Sequence, residues 1–111
     1  MANIIDLSVF IQDPLVLKMP HNEDTFTIPG EINTEFVIKK VYNQQEEASK
    51  IENIEEQYRG LQNLVLSILQ LDESKKIDLE YIRKNLPDIR YLRIIIQEMT
   101  NHINKIQNNP N

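Results

Sequence analysis

The amino-acid sequence predicts an α+β fold that is mostly helical, with a small N-terminal β-hairpin packed on a bundle of three to four helices. Two short alternating apolar runs flank a polar turn before residue 30, and two long apolar stripes with helical spacing occupy the second half. A length of 111 residues fits one domain. We expect a β-rich segment over about residues 1–32, a helical segment over about residues 33–107 and a disordered polar tail at residues 108–111.

The first segment, residues 1–14, is rich in apolar side chains, but its pattern fits both a strand and a short helix. Pro14 closes it, because the residue before a proline avoids helical backbone angles. Asp6 interrupts the apolar run and no basic residue precedes it, so we do not expect a signal peptide.

The predicted hairpin follows. Apolar side chains alternate along Leu15–Lys18 and again along residues 26–28, which is the period of a half-buried strand. The loop between them contains Asn22 and Asp24, and both residue types are frequent in turns. Because an isolated hairpin is marginally stable in water, this one is expected to pack on the helices.

The helical segment is predicted to begin near Asn33 or Thr34, since both are favourable N-caps. The negative charge of Glu35 suits the first turn of a helix. Val37 and Val41 lie on a side of this helix that fits an inward-facing position. The polar residues 44–50 fit either a continuation of the helix or a short break.

Two longer helices are predicted over residues 51–71 and about residues 88–107. The first stripe consists of Ile51, Ile54, Tyr58, Leu61, Val65 and Ile68. The second consists of Ile89, Leu92, Ile96, Met99, Ile103 and Ile106. Between them, Asp78 is the expected cap of a short helix, Leu79–Asn85, which Pro87 ends. Matching stripes favour a pair of helices within one chain, with an intermolecular coiled coil as the alternative.

Two residue groups fall outside these stripes. Gly60 lies within the first long helix, where it allows either a close approach of another helix or a kink. Tyr91, Ile94 and Ile95 remain as apolar residues beside the second stripe. Such residues indicate a second packing surface or a contact in an oligomer.

The sequence contains no pattern typical of an enzyme, a cofactor site or a metal site. The absence of cysteine excludes disulfides, thiol catalysis and Cys-ligated zinc. The two histidines, His21 in the polar turn and His102 on the polar side of the last helix, are both expected to be exposed to solvent. Two glycines are too few for a Gly-rich phosphate loop.

Charge and hydropathy narrow the classes of partner. A net charge of −5 argues against a general nucleic-acid binder, whose affinity comes mainly from Lys and Arg. No apolar run approaches the roughly 18 residues of a membrane span. We therefore predict a cytoplasmic protein that binds neither nucleic acid nor membrane.

Several motifs resemble those of tail assembly chaperones from long-tailed bacteriophages of low-GC Gram-positive hosts. The first is the hairpin followed by the run Thr27-Ile28-Pro29-Gly30-Glu31-Ile32, with Phe36 on the opening helix. The second is the short helix before the final amphipathic helix, with Leu79, Ile82, Leu86 and Pro87. The resemblance covers about residues 14–106 and leaves residues 1–13 unexplained.

The resemblance implies a non-catalytic protein that coats the tape-measure protein and recruits tail-tube subunits in the host cytoplasm. Members of this family are often also made in a longer frameshifted form. The expected partner-binding residues are Tyr91, Ile94 and Ile95, with Val37 and Val41 as a second candidate surface. The alternative is a small structural virion component or a regulatory adaptor that acts as a homo-oligomer.

Overall fold

The computed structural model describes residues 2–107 and confirms an α+β, mostly helical fold with an N-terminal hairpin on a group of helices. The two strands are β1 (Leu15–Lys18) and β2 (Thr25–Ile28). Four helices follow: α1 over residues 34–50, α2 (Ile54–Leu69), α3 (Leu79–Asn85) and α4 (Ile89–Gln107). The predicted disordered tail at residues 108–111 lies outside the described residues.

The segment before the hairpin contains one short 3₁₀ helix, Leu7–Phe10, and none of its residues is buried. The Asp6 carboxylate begins this helix by accepting hydrogen bonds from the backbone N–H of Ser8 at 3.0 Å and from its hydroxyl at 2.5 Å. Further along, the backbone N–H of Gln12 donates to the carbonyl oxygen of Gly30 at 3.1 Å. This bond ties the segment to the end of the hairpin.

The hairpin is antiparallel, and its register pairs Leu15 with Ile28 and Leu17 with Phe26. Phe26 and Ile28 are fully buried, whereas Val16, on the opposite face, is 57% exposed. The inner face therefore faces the helices: β2 packs on α2, and β1 packs on α4. This arrangement satisfies the need of a two-stranded sheet for helical support.

Helix α1 begins at the predicted cap, since the Asn33 side chain accepts from the N–H groups of Glu35 and Phe36 at 2.8 and 3.3 Å. The chain is α-helical over three residues, π-helical over Val37–Tyr42 and α-helical again over Asn43–Lys50. In the π-helical part, the N–H of Asn43 donates to the carbonyl oxygen five residues earlier. The polar residues 44–50 thus continue the helix.

Helix α2 is shorter than predicted at its N-terminus. The predicted start at Ile51 is wrong: residues 51–53 are not helical, and Asn53 is the cap, with its side chain accepting from the N–H of Glu56 at 3.1 Å. The helix continues through Gly60, which faces Ala48 of α1. A methyl group at Gly60 would lie 4.0 Å from the Ala48 Cβ, an ordinary contact, so this approach does not require glycine.

The core lies where the hairpin and the four helices meet, and α1 contributes Val37 and Val41 to it. Helix α3 has the predicted bounds, and the Asp78 side chain accepts from the N–H of Tyr81 at 3.1 Å. Helices α2 and α4 pack against each other within the chain. The largest fully buried side chains are Phe26, Ile28, Leu64, Ile68, Leu69, Ile82, Leu86, Leu92, Met99, Ile103, Val41 and Val65.

Candidate partner-binding surface

An apolar groove of about 200 Å³ lies between the hairpin, the end of α3 and the first turns of α4. We call it the apolar groove, and its apolar lining includes Leu17, Met19, Leu86, Tyr91, Ile94 and Ile95. The structure therefore brings together the three residues of the first predicted surface and adds residues from the hairpin and from α3.

The three α4 residues contribute differently to this groove. Ile94 is 58% exposed and Tyr91 is half-buried, whereas Ile95 is only 6% exposed. Ile95 belongs to a second packing surface, one of the two alternatives indicated by its place beside the stripe, because α4 packs against both α2 and β1 and buries a wider face than one stripe. Ile95 and the buried Met19 form the floor, and Ile94 is the accessible apolar side chain.

Local geometry explains this arrangement. Residues three and four positions apart lie on one face of a helix, which places Ile94 and Ile95 beside Tyr91. The alternation of β1 directs Leu17 toward the helices. At the rim, the exposed ring of His21 meets the ring of Tyr91 edge-on, with centroids 5.9 Å apart and an interplanar angle of 79°.

The groove carries a positive charge at one place. Lys18 lies in its lining, and no lining residue is acidic. The ammonium group lies 3.9 Å from the Glu23 carboxylate, and both side chains are exposed, so this ion pair is weak. Lys18 therefore remains available to an acidic group on a partner.

The start of α4 holds a second charged pair. Hydrogen bonds donated by the Arg90 guanidinium lower the pKa of the Asp88 carboxyl to about 2, and the same contact raises the pKa of Arg90. The shortest of these bonds measures 2.7 Å. Arg90 is thus paired with a carboxylate of its own chain.

The second candidate surface does not exist in the folded chain. Val37 is 4% exposed and Val41 is fully buried, and both belong to the core. Both lie in the π-helical part, and they are its buried residues. The expectation that Val37 and Val41 form a docking surface is therefore wrong. Both side chains face inward, which was the other position considered for them.

The two histidines differ in environment. His21 is exposed, as predicted, but His102 is 5% exposed, and its predicted exposure is wrong. The Nε2 atom of His102 lies 2.8 Å from the carbonyl oxygen of Pro29. Because a carbonyl oxygen only accepts, Nε2 carries the proton and donates it. The imidazole can be buried because Pro29, directly after β2, supplies the acceptor for its N–H.

Polar contacts that sequence reasoning missed hold the hairpin on α3 and on the loop before it. The Tyr81 hydroxyl donates to Asp24 at 2.7 Å, and the amide of Asn22 donates to Asn85 at 3.0 Å. The backbone N–H of Thr27 donates to the Asp72 carboxylate at 2.8 Å. These contacts join residues 45–63 positions apart, so no local pattern in the sequence predicts them.

Within residues 2–107, no three His, Asp or Glu side chains converge as metal ligands would. Over the same residues, no helix has both the length and the apolar character needed to cross a bilayer. What the geometry offers is an apolar depression with a cationic edge, which suits the capture of apolar side chains. Comparison of this chain with protein-family models, curated proteins and solved structures gave no match in any of the three.

Proposed function

We propose that this protein is a non-catalytic chaperone of phage tail assembly that binds a helical segment of the tape-measure protein in the apolar groove. The observation that supports this proposal best is the groove itself, in which the 58% exposed Ile94 stands beside the buried floor of Met19 and Ile95. An amphipathic helix presents apolar anchors three and four residues apart, and such anchors fit a groove of this kind.

The proposed role follows from the physics of the bound chain. A long helical protein with exposed apolar stripes associates with its own copies before assembly, because burial of apolar surface is favourable. A groove that covers part of one stripe lowers this tendency, and Lys18 favours segments flanked by acidic residues. Recruitment of tail-tube subunits rests on the motif resemblance alone, and we assign no residue to it.

The test is co-expression of the tagged chain with the tape-measure-like protein encoded beside it, followed by pull-down and measurement of the soluble tape-measure fraction. The informative variant is Ile94→Glu, which places a charge in the groove. The matched control is Ile54→Glu, since Ile54 is 79% exposed at the first residue of α2, outside the groove lining.

We expect the parent chain and the Ile54→Glu variant to hold the tape-measure protein in solution and the Ile94→Glu variant to lose at least tenfold in capture. Circular dichroism would show that both variants are folded. Undiminished capture by Ile94→Glu contradicts the proposal.

A structural virion component or a homo-oligomeric adaptor is the competing function. It predicts the protein in purified particles, whereas the chaperone is absent from them. Mass spectrometry of particles distinguishes the two.

A further inference from the structure

Most large apolar side chains of the first ten described residues are left uncovered by the rest of the chain, and Phe10, at 39% exposed, is the most covered of them. We call residues 2–11 the N-terminal arm. Its exposed fractions are 92% for Ile4, 75% for Ile5, 71% for Leu7, 61% for Val9 and 51% for Ile11. Scattered exposed apolar residues are ordinary, but several exposed apolar residues close together in the sequence are typical of a surface that another molecule covers.

The arm has a defined shape and a fixed attachment. The bonds from Ser8 to Asp6 stabilise the 3₁₀ turn, and the bond between Gln12 and Gly30 anchors the base of the arm. A segment held in one conformation loses less conformational entropy on docking than a flexible one. The bonds within the 3₁₀ turn therefore reduce the conformational entropy that the arm loses on docking.

We propose that the arm of one copy docks in the apolar groove of a second copy, and that the exchange is reciprocal and forms a homodimer. Charge complementarity identifies the groove as the site: the arm contains the acid Asp6 and no base, whereas the groove lining contains the base Lys18 and no acid. None of the arm residues lies in the groove lining of its own chain. Both surfaces therefore remain available within one copy.

Reach and area agree with this exchange. The four residues of the 3₁₀ helix rise about 2.0 Å each and the other six span at most about 3.3–3.6 Å each, so the arm reaches at most about 28–30 Å, enough to cross from the anchor onto a neighbouring molecule. Burial of one large aliphatic side chain removes roughly 60–120 Å² of apolar surface from water. Each arm has five exposed large aliphatic side chains. The two arms of a dimer, with ten such side chains, therefore bury on the order of 600–1,200 Å² when all ten are covered. The facing groove surface brings the total into the range of about 1,200–2,000 Å² that specific interfaces occupy.

A twofold exchange also closes the assembly. Each copy offers one arm and accepts one arm, so a pair leaves neither surface free for a third copy. The dimer forms from this chain alone and needs no tape-measure protein. Because the arm occupies the groove that the proposed function assigns to a tape-measure helix, the two occupants exclude each other, and the dimer is the form of this chain in the absence of tape-measure protein.

The test is sedimentation velocity of the full chain without any other protein, from micromolar to a few hundred micromolar concentration. We expect a dimer for the parent chain and for the Ile54→Glu control. Leu7→Asp in the arm and Ile94→Glu in the groove should each weaken dimerisation at least tenfold. A monomeric parent chain throughout this range overturns the inference, and so does dimerisation of Ile94→Glu at the parent affinity.

A mixing experiment separates arm-to-groove docking from other modes of association. When the Leu7→Asp and Ile94→Glu variants are labelled with different fluorophores and mixed, the intact arm of one meets the intact groove of the other. Energy transfer should then exceed that of either variant labelled and mixed with itself. Equal transfer in all three samples contradicts docking of the arm in the groove.

The Leu7→Asp variant also allows the two proposals to be tested separately, because its arm is altered and its groove is unchanged. Capture of the tape-measure protein by a parent chain that sediments as a monomer would overturn the dimer and leave the proposed function intact. Conversely, absence of capture by the monomeric Leu7→Asp variant, whose groove is open, would contradict the proposed function and leave the dimer of the parent chain intact.

Discussion

His102 and Pro29 lie 73 residues apart in the sequence, and the imidazole Nε2 of His102 donates to the Pro29 carbonyl oxygen across 2.8 Å. This bond joins α4 to the residue directly after β2. Together with the packing of β1 on α4, it fixes the hairpin against the last helix. The hairpin side of the apolar groove depends on that attachment, because Leu17 and Met19 belong to the hairpin and its loop.

Replacement of His102 by leucine should therefore destabilise the protein. The Pro29 carbonyl loses its donor while the apolar volume is largely kept, so we expect the free energy of unfolding to fall by about 1 kcal/mol. Urea denaturation followed by circular dichroism measures this. His21→Leu is the matched control, since this second histidine is exposed, and its effect should stay within about 0.5 kcal/mol. Equal effects of the two substitutions would contradict a structural role of the His102 bond.

Asp72 should make stability depend on acid pH. One carboxylate oxygen accepts from the Thr27 N–H at 2.8 Å, and the other accepts from the N–H and hydroxyl of Ser74 at 3.0 and 2.5 Å. Both oxygens face donors, so the amide of an Asp72→Asn variant must direct its NH₂ at one of them. We expect this substitution to lower the free energy of unfolding at pH 7 by about 1–2 kcal/mol.

The pH dependence of that difference follows from the pKa of Asp72. Hydrogen bonds from Ser74 and Thr27 lower it below the ordinary value of 3.8 in the folded state. The stabilisation is therefore complete above this value and is lost as the pH falls through the lower folded-state pKa. Urea denaturation between pH 7 and pH 2 should show the parent and variant converging at the acid end. Glu73→Gln, at the exposed neighbouring position, should show no such convergence.

Tyr81 should make the stability of the fold depend on alkaline pH. Burial, followed by the hydrogen bond to Asp24, raises the pKa of the Tyr81 hydroxyl from 10.0 to about 12. The folded state keeps this proton where the unfolded chain has lost it, so stability falls as the pH rises from about 10 toward 12. Tyr81→Phe removes this dependence and costs about 1 kcal/mol at pH 7 through the lost bond.

Urea denaturation at pH 7, 9 and 11 tests this expectation. The stability difference between the parent and Tyr81→Phe should shrink at the highest pH. Tyr42→Phe is the control, because the Tyr42 side chain is 39% exposed. A difference that stays constant over this range would contradict the role assigned to the Tyr81 hydroxyl.

Gly30 is the position at which any larger residue should disturb the base of the N-terminal arm. A Cβ atom at Gly30 would overlap the carbonyl oxygen of Gln12. The backbone N–H of the same Gln12 donates a hydrogen bond to the Gly30 carbonyl oxygen. We expect Gly30→Ala to break this bond, to destabilise the chain by about 1–3 kcal/mol and to free the arm. Urea denaturation measures the first effect, and faster thermolysin cleavage within the arm, mapped by mass spectrometry, measures the second.

Gly60 provides the matched control, as the other glycine of the chain. Its added methyl would make an ordinary 4.0 Å contact with Ala48. Because alanine favours a helix interior over glycine, Gly60→Ala should stabilise the protein by about 1 kcal/mol. A Gly30→Ala variant as stable as the parent chain would show that the Gln12 contact is not the reason for glycine at position 30.

Patterns among residues close together in the sequence predicted those helices and strands whose ends are set by such residues. The alternation along Leu15–Lys18 identified β1, and Asp78 with Pro87 delimited α3 correctly. The start of α2 was also encoded locally, since Asn53 and Glu56 have the spacing of a cap and the N–H that it binds. The apolar stripe that begins at Ile51 led to the wrong start, because the spacing of apolar residues does not show at which residue helical hydrogen bonding begins.

The remaining features depend on contacts between distant segments. Tyr91 and Ile94 were identifiable as spare apolar residues of α4, but Leu17 and Met19 join them only after the hairpin packs on that helix. The burial of Ile95 and His102 likewise requires β1 and Pro29 as neighbours. No pattern confined to α4 contains this information.

The π-helical part of α1 accommodates one extra residue without changing the faces of the helix that follows. A π turn holds one residue more than the α-helical spacing requires. Loss of a single residue between positions 37 and 42 would restore α-helical spacing and leave residues 43–50 on nearly the same faces relative to the cap at Asn33. Ala48 would keep its place opposite Gly60. Single-codon deletions in this turn are therefore expected to be better tolerated during evolution than deletions in the α-helical residues 43–47, which would rotate the residues after them by about 100°.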